Sequence, residues 1–344
     1  MTITRFPGLV DVHVHLREPG ATHKEDFYTG SRAAIKGGIT FMVDMPNNPT
    51  PTISIERLDE KVALSKKALC DIGFHFGTNG KNLAELPKAA SRAEVFGLKL
   101  YCNHTTGEML IEDPHVLDAI FLAWPPGKPI LLHAEGQQLT QNIARAKRYN
   151  QRIHVCHITQ KSEVTDVRVA KQEGLSITAG VCPHHLYLTG EARERMGGFA
   201  VMKPPLGTEE DAAALWEGLS DGTIDIIETD HAPHAREEKE KDPPAFGVTG
   251  LETSFSLMWK AVQEGRFTKA RLIEAMYTFP KKIFGIPDQE DTYMEADTDA
   301  FWVVGEHGYE TKANSSPFEG MKLPGVVTTV VLHGKTVLRN GQFM

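Results

Sequence analysis

Two histidines spaced i, i+2 close an apolar run near the start of the chain, in Val10-Asp11-Val12-His13-Val14-His15-Leu16-Arg17. Side chains two apart on a strand share a face, so both imidazoles converge at the strand's end, where neutral ring nitrogens can hold a divalent metal. Arg17 follows closely, and its planar, permanently charged fork suits a carboxylate. The competing reading is a partly exposed strand with two ordinary histidines. Taken as chemistry, the stretch points to a metal-dependent enzyme acting on a small anion.

Two histidines do not make a metal centre, so other elements must bring further donors to the same place. Short apolar runs bounded by turns fall at 9–15, 39–45, 71–78, 97–102, 129–134, 153–158, 175–181 and 224–229. Continuous apolar runs are the pattern of strands buried on both faces. Between them, 55–68, 138–149, 163–173 and 209–219 repeat their apolar positions at helical spacing. Eight strand-helix units in about 250 residues predict a (β/α)8 TIM barrel, with a doubly wound open sheet as the alternative. The barrel is favoured because His13, His15, Asn47, Lys99, His133, His157 and Asp230 fall at the ends of many different strands. Barrels build their sites at that face from several strand ends, whereas an open sheet concentrates them at one switch point.

The barrel is expected over residues 7–298. A small C-terminal β extension over 299–344, with strands near 301–304, 326–333 and 336–338, is expected to pack on it. The charged, Pro- and Gly-containing loop 235–250 is too polar for a core and long for a barrel connection, so it is expected to cover the site. Its charge run 236–241 reads as a solvated face.

Composition narrows the class. The 344 residues are 41% hydrophobic and 24% charged, as in a globular protein, and carry a net charge of −8. That balance argues against a nucleic-acid binder but leaves room for a local cationic pocket. Four cysteines without CxxC spacing indicate neither a disulfide framework nor a zinc ribbon, so a reducing, cytoplasmic setting is expected. Neither a leader pattern nor an apolar run of about 18 residues is present, so no membrane segment is expected.

Lys99, in Gly97-Leu98-Lys99-Leu100-Tyr101, ends a buried run with no carboxylate partner nearby in sequence. A neutral lysine that takes up carbon dioxide becomes a carbamate, which can bridge two metals. The ordered set His13-x-His15, Lys99, His133, His157 and Asp230 resembles the binuclear amidohydrolase superfamily. Three further motifs, His15-Leu16-Arg17-Glu18-Pro19-Gly20, Met45-Pro46-Asn47 and Asp230-His231-Ala232-Pro233-His234, narrow the resemblance to the dihydroorotases, above all the form fused within the animal multifunctional pyrimidine-synthesis protein. The likeness runs from about Pro7 to the end of the chain.

The resemblance implies reversible cyclisation of N-carbamoyl-L-aspartate to L-dihydroorotate, in de novo pyrimidine synthesis. It implies two zinc ions per chain held by His13, His15, Lys99, His133, His157 and Asp230, and bridged by carboxylated Lys99 and a hydroxide. Asp230 is then the general base and acid, and Arg17, Asn47 and His234 bind the substrate's α-carboxylate. Thr105 is implied to close over the ligand, and Lys203 occupies the ring-contact region. A homodimer is implied, working beside other pyrimidine-pathway enzymes. The animal forms hold a third ion with the equivalents of His13 and Cys156 and a glutamate on the seventh barrel strand. Here that position is Gly180, so two ions are expected. His184, His185 and His231 are read as orienting groups near the metals. Allantoinases, hydantoinases and dihydropyrimidinases share the metal set. A catalytically dead scaffold homologue is the alternative from another class.

Overall fold

The computed structural model describes residues 2–104 and 109–344. Thr105 lies outside them. Eight strands run parallel in sequence order: β2 (Leu9–Val14), β3 (Ile39–Asp44), β4 (Asp71–Gly77), β5 (Val95–Tyr101), β6 (Ile130–His133), β7 (Ile153–Val155), β8 (Ile177–Val181) and β9 (Ile226–Ile227). This is the expected barrel, with helices between most strands. Apolar residues such as Leu9, Phe74, Leu98, Leu132, Val155 and Val181 are fully or almost fully buried.

The eighth barrel strand is much shorter than its apolar run suggests. Asp230 has a φ of +45°, which a strand cannot accommodate, so pairing stops early. Closure instead uses a parallel bridge between Val14 and His231, with His15 N donating to His231 O at 2.8 Å. The Asp11 carboxylate completes the seam by accepting from Thr229 N at 3.3 Å and from the Thr229 hydroxyl. A side chain thus satisfies backbone that a longer ladder would have paired.

A second, antiparallel sheet is ordered β1 (Ile3–Pro7), β10 (Tyr293–Val303), β11 (Lys322–Leu332), β12 (Lys335–Arg339) and β13 (Gln342–Phe343). It therefore draws on both ends of the chain and begins before residue 299. Phe6 pairs opposite Met294 and packs edge-on against Phe255 and Trp259 of the helix Ser254–Gln263, at 5.2 and 5.6 Å between ring centres. Gly325 has a φ of +81° and lies so close to this helix that a Cβ would meet Trp259 Cδ1 at 3.0 Å. The helices Phe27–Lys36 and Pro114–Ala123, which periodicity did not single out, start at Asp26 and Asp113, whose carboxylates accept from the first backbone N–H groups. Among the described residues, no helix is long and apolar enough to cross a membrane.

The fold also braces the loop that carries Asn47. Lys61, on the helix Ile55–Ser65, is fully buried and pairs with the equally buried Asp44 at 2.7 Å. It also donates to Met45 O and Asn48 Oδ1, while Asp44 Oδ1 accepts from Leu16 N. Lys61→Ala would strand a buried carboxylate beneath the site. The expected cost is about 3–5 kcal/mol of unfolding free energy, read from the midpoint of urea denaturation.

Candidate metal centre

The strand ends bring their polar residues together. His13, Lys99 and His133 lie on β2, β5 and β6; His15, His157 and Asp230 follow closely on β2, β7 and β9. All six line one cavity at the C-terminal mouth of the barrel and all are buried. Arg17, His157 and Asp230 have φ values of +63°, +36° and +45°, in the left-handed region that side chains disfavour. Strain of about 1–3 kcal/mol per residue persists only where surroundings enforce it, and it concentrates at functional sites.

Asp230 Oδ1 lies 2.9 Å from His15 Nε2 and 3.4 Å from His13 Nε2. The other side of His15 is fixed, because Nδ1 lies 2.8 Å from Asn47 Oδ1 and donates to it. Burial holds His15 down at about 4, so near neutral pH the ring carries one proton, on Nδ1. Its Nε2 lies 2.9 Å from Asp230 Oδ1, so both ring nitrogens face oxygen acceptors and a ring with one proton satisfies only one of them. Burial pushes the Asp230 carboxyl up, but the neighbouring imidazoles outweigh it and hold the group well below the ordinary carboxylate range.

On the other side, His133 Nδ1 lies 3.0 Å from His157 Nε2. The remaining ring nitrogens, His133 Nε2 and His157 Nδ1, are buried without a hydrogen-bond partner. Burial, with Lys99 contributing, lowers His133 to about 3, and burial likewise lowers His157 well below the ordinary histidine range. Neutral imidazoles with orphaned lone pairs, beside a carboxylate, are the donor set a zinc-type ion takes. Lys99 is fully buried in the same cavity, its Nζ 3.1 Å from Cys156 Sγ.

The anion end lies beside this cluster. Arg17 Nε donates to Pro233 O at 3.0 Å, and its Nη2 lies 3.2 Å from His234 Nε2. His234 donates from Nε2 to Phe246 O, while Lys24 approaches Nδ1 at 3.4 Å. Burial lowers the His234 pKa, and the charges of Arg17, Lys24 and Lys239 lower it further, as expected in a locally cationic corner. Lys203 lines the cavity with its ammonium over the Phe246 ring. His185 Nε2 lies 3.2 Å from Pro204 O, bracing the segment that carries Lys203, and His184 packs edge-on against His185.

The loop 235–250 does reach the site, since Phe246 and Gly247 line the cavity. Its charge run is not wholly solvated, however. Residues Arg236–Glu240 form a short helix, and Lys239 is buried, donating to the carbonyls of Val201, Ala245 and Gly247 at 2.6–2.9 Å. Three convergent carbonyls satisfy its ammonium, which explains a lysine inside. His231 receives Gly250 N on Nδ1 and lies 3.4 Å from the buried Glu25, tying Asp230's neighbour to the helix Phe27–Lys36 side of the barrel.

Sequence reading passed over Glu228. It is fully buried, accepts from His157 N, and lies 3.4 Å from His154 Nε2 and 3.5 Å from His13 Nδ1. The signal was present: a glutamate directly after the buried pair Ile226-Ile227 and two residues before Asp230.

A strained, buried cluster of neutral histidines, a carboxylate and a lysine at the mouth of a β/α barrel defines a metal-dependent hydrolase site. The chain belongs to the amidohydrolase family, whose model matches residues 4–337. Within it, the chain groups with the dihydroorotases. It is 34% identical over 377 residues to the dihydroorotase of Lactobacillus leichmannii, covering 98% of this chain and 88% of that one. It is 42% identical over 345 residues to the multifunctional protein CAD of Squalus acanthias, covering 99% of this chain but only 15% of that much longer protein. Among solved structures, an L-hydantoinase (dihydropyrimidinase) from Arthrobacter aurescens superposes with a TM-score of 0.91 at 26% identity, over 99% of this chain and 86% of the other. An inactive dihydroorotase-like domain of a Chaetomium thermophilum CAD-like protein gives 0.84 at 26% identity, over 100% and 97%.

Proposed function

We propose that the protein is a zinc-dependent dihydroorotase, interconverting N-carbamoyl-L-aspartate and L-dihydroorotate. The observation that carries this reading is the intact donor set beside Arg17: six groups suited to two ions, with a permanent cation placed for a carboxylate. An inactive scaffold is disfavoured because His13, His15, Lys99, His133, His157 and Asp230 all converge. Dihydropyrimidinase-type substrates are disfavoured because they carry no carboxylate for Arg17 to grip. The reading extends, on family resemblance, to a cytoplasmic homodimer working beside other pyrimidine-pathway enzymes.

His13, His15 and Asp230 would hold one zinc ion, His133 and His157 the second, with Lys99 as its carbamate between them. Bound there, zinc supplies a nucleophile from water near neutral pH and polarises the ring amide carbonyl. Asp230, ionised and buried, accepts the nucleophile's proton and passes it to the leaving ring nitrogen; in cyclisation the same group runs in reverse. Asn47 holds His15 in place, and on the family resemblance it also binds the substrate's α-carboxylate. On the family resemblance, Arg17 and the backbone at Lys203 contact the substrate at that face.

The direct test supplies zinc-loaded protein with dihydroorotate and follows loss of ring absorbance, with hydantoin and allantoin as controls. Turnover of dihydroorotate alone is expected; turnover of a control in its place would reassign the substrate, and none at all would favour the scaffold. Arg17→Ala is expected to raise KM by about 100-fold, since losing one partner of a buried charged contact costs about 2–5 kcal/mol. Metal content should stay unchanged, and an unaltered KM would sink the carboxylate assignment.

A further inference from the structure

Just after β8, the turn Cys182-Pro183-His184-His185 gathers three metal donors that the binuclear reading does not use. Cys182, His184 and His185 are 0%, 1% and 2% exposed, and each offers a ligand atom within 4.8 Å of the other two. Slight side-chain adjustment brings such a trio onto the bonds of one ion, about 2.0–2.3 Å to nitrogen and sulfur. None of the three belongs to the set His13, His15, Lys99, His133, His157 and Asp230.

Both imidazoles have lone pairs to give. His185 Nε2 lies 3.2 Å from Pro204 O, an acceptor, so the ring proton sits on Nε2 and Nδ1 is left bare. His185 Nδ1 and His184 Nε2 are both buried without a hydrogen-bond partner. A buried ring nitrogen is rarely left unpaired, and two of them on adjacent rings, 4.3 Å apart between centres, ask for a shared partner. Burial lowers His185 to about 4 and lowers His184 well below the ordinary histidine range, so near neutral pH both rings are neutral ligands.

The sulfur has the matching character. Burial pushes the Cys182 thiol up, and the carboxylates of Asp230, Glu228 and Asp11 push it further, so without an ion the sulfur keeps its proton. The same negative field favours a cation beside it, and an ion binding there displaces the thiol proton to solvent. One thiolate with two imidazoles suits zinc and softer ions such as cadmium, with a fourth position left for water, and does not suit magnesium or calcium. Because His185 also holds the Pro204 carbonyl, an ion at this turn ties the end of β8 to the wall that carries Lys203.

We infer that Cys182, His184 and His185 form a soft-metal site of zinc-like preference, sharing no residue with the binuclear centre and independent of the dihydroorotase reading. Cadmium(II) is the probe, because a thiolate-to-cadmium absorption band reports the sulfur directly. Zinc-loaded, dialysed protein titrated with cadmium(II) should develop that band up to a single ion per chain. The band should persist in Cys156→Ser and vanish in Cys182→Ser. His184→Gln and His185→Gln should need at least about tenfold more cadmium, the least that losing even an outer partner of a metal costs. Circular dichroism checks that each variant is folded; if Cys182→Ser is not, unchanged cadmium affinity in both histidine variants would overturn the site. So would a band that Cys182→Ser retains, a band that Cys156→Ser removes, or no band in the wild type. Zinc content before the titration tests the binuclear reading separately: fewer than two ions there would overturn that reading and leave the cadmium result standing.

Discussion

Asp230→Asn is expected to lower kcat in both directions by about 1,000-fold or more, the range that a positioned proton carrier contributes. The substitution keeps the shape and removes the charge. Asp230 is the group best placed for proton transfer: it is held ionised within hydrogen-bond reach of His15 and beside His13, buried at the barrel mouth. An amide cannot accept the nucleophile's proton, and it also weakens one metal contact. Zinc content should therefore be measured beside the kinetics. A protein retaining its ions with turnover lost assigns the defect to proton transfer. Turnover within tenfold of the wild type, with ions in place, would remove Asp230 from that role.

Lys99→Ala is expected to be as severe for a different reason. Lys99 is fully buried, its nearest polar contact is a cysteine sulfur, and no carboxylate hydrogen-bonds to it among the described residues. A permanently charged ammonium there would repel metal ions among His13, His133 and His157, whereas a carbamate would draw them in. Alanine should leave fewer than two ions bound and bring activity to background. The vacated space should accept a short carboxylate, so propionate is expected to restore part of both metal binding and turnover. Mass analysis of the intact wild type under carbon dioxide should show one added carbon dioxide, absent from Lys99→Ala. Full metal content and activity in the alanine variant would show that Lys99 bridges nothing.

Most of the barrel was legible because strands buried on both faces write themselves as apolar runs, and six of the eight agree closely with the observed strands, the sixth run ending its strand early at Val155. The eighth run overstates its strand, because pairing there is ended by the left-handed backbone at Asp230, which depends on closure against β2. The second sheet was legible only at its C-terminal end. Its first strand, Ile3–Pro7, finds β10 across almost the whole length of the chain, a pairing that local pattern cannot encode. The helix Phe27–Lys36 went unnoticed for a different reason: its polar and small residues dilute the periodic signal, and its start depends on the Asp26 cap.

The site divides along the same line. Residue type and strand-end position were enough to assemble His13, His15, Lys99, His133, His157 and Asp230, because a barrel carries every strand end to one face. Arg17, Asn47, His234 and Lys203 were instead picked out by the resemblance to the dihydroorotase motifs. Position in sequence could not say that Asn47 holds His15 in place, or that Lys239, in a run of charges, turns inward to three carbonyls. Nor could it reveal Glu228. A carboxylate on one strand and a missing side chain on the next are unrelated letters until parallel pairing sets Gly180 opposite Ile226 and delivers Glu228 into the gap. The sequence by itself determined which donors the protein has and that they share one mouth. Only the tertiary structure decided which atoms face one another at ion spacing, because that depends on register and side-chain direction across neighbouring strands.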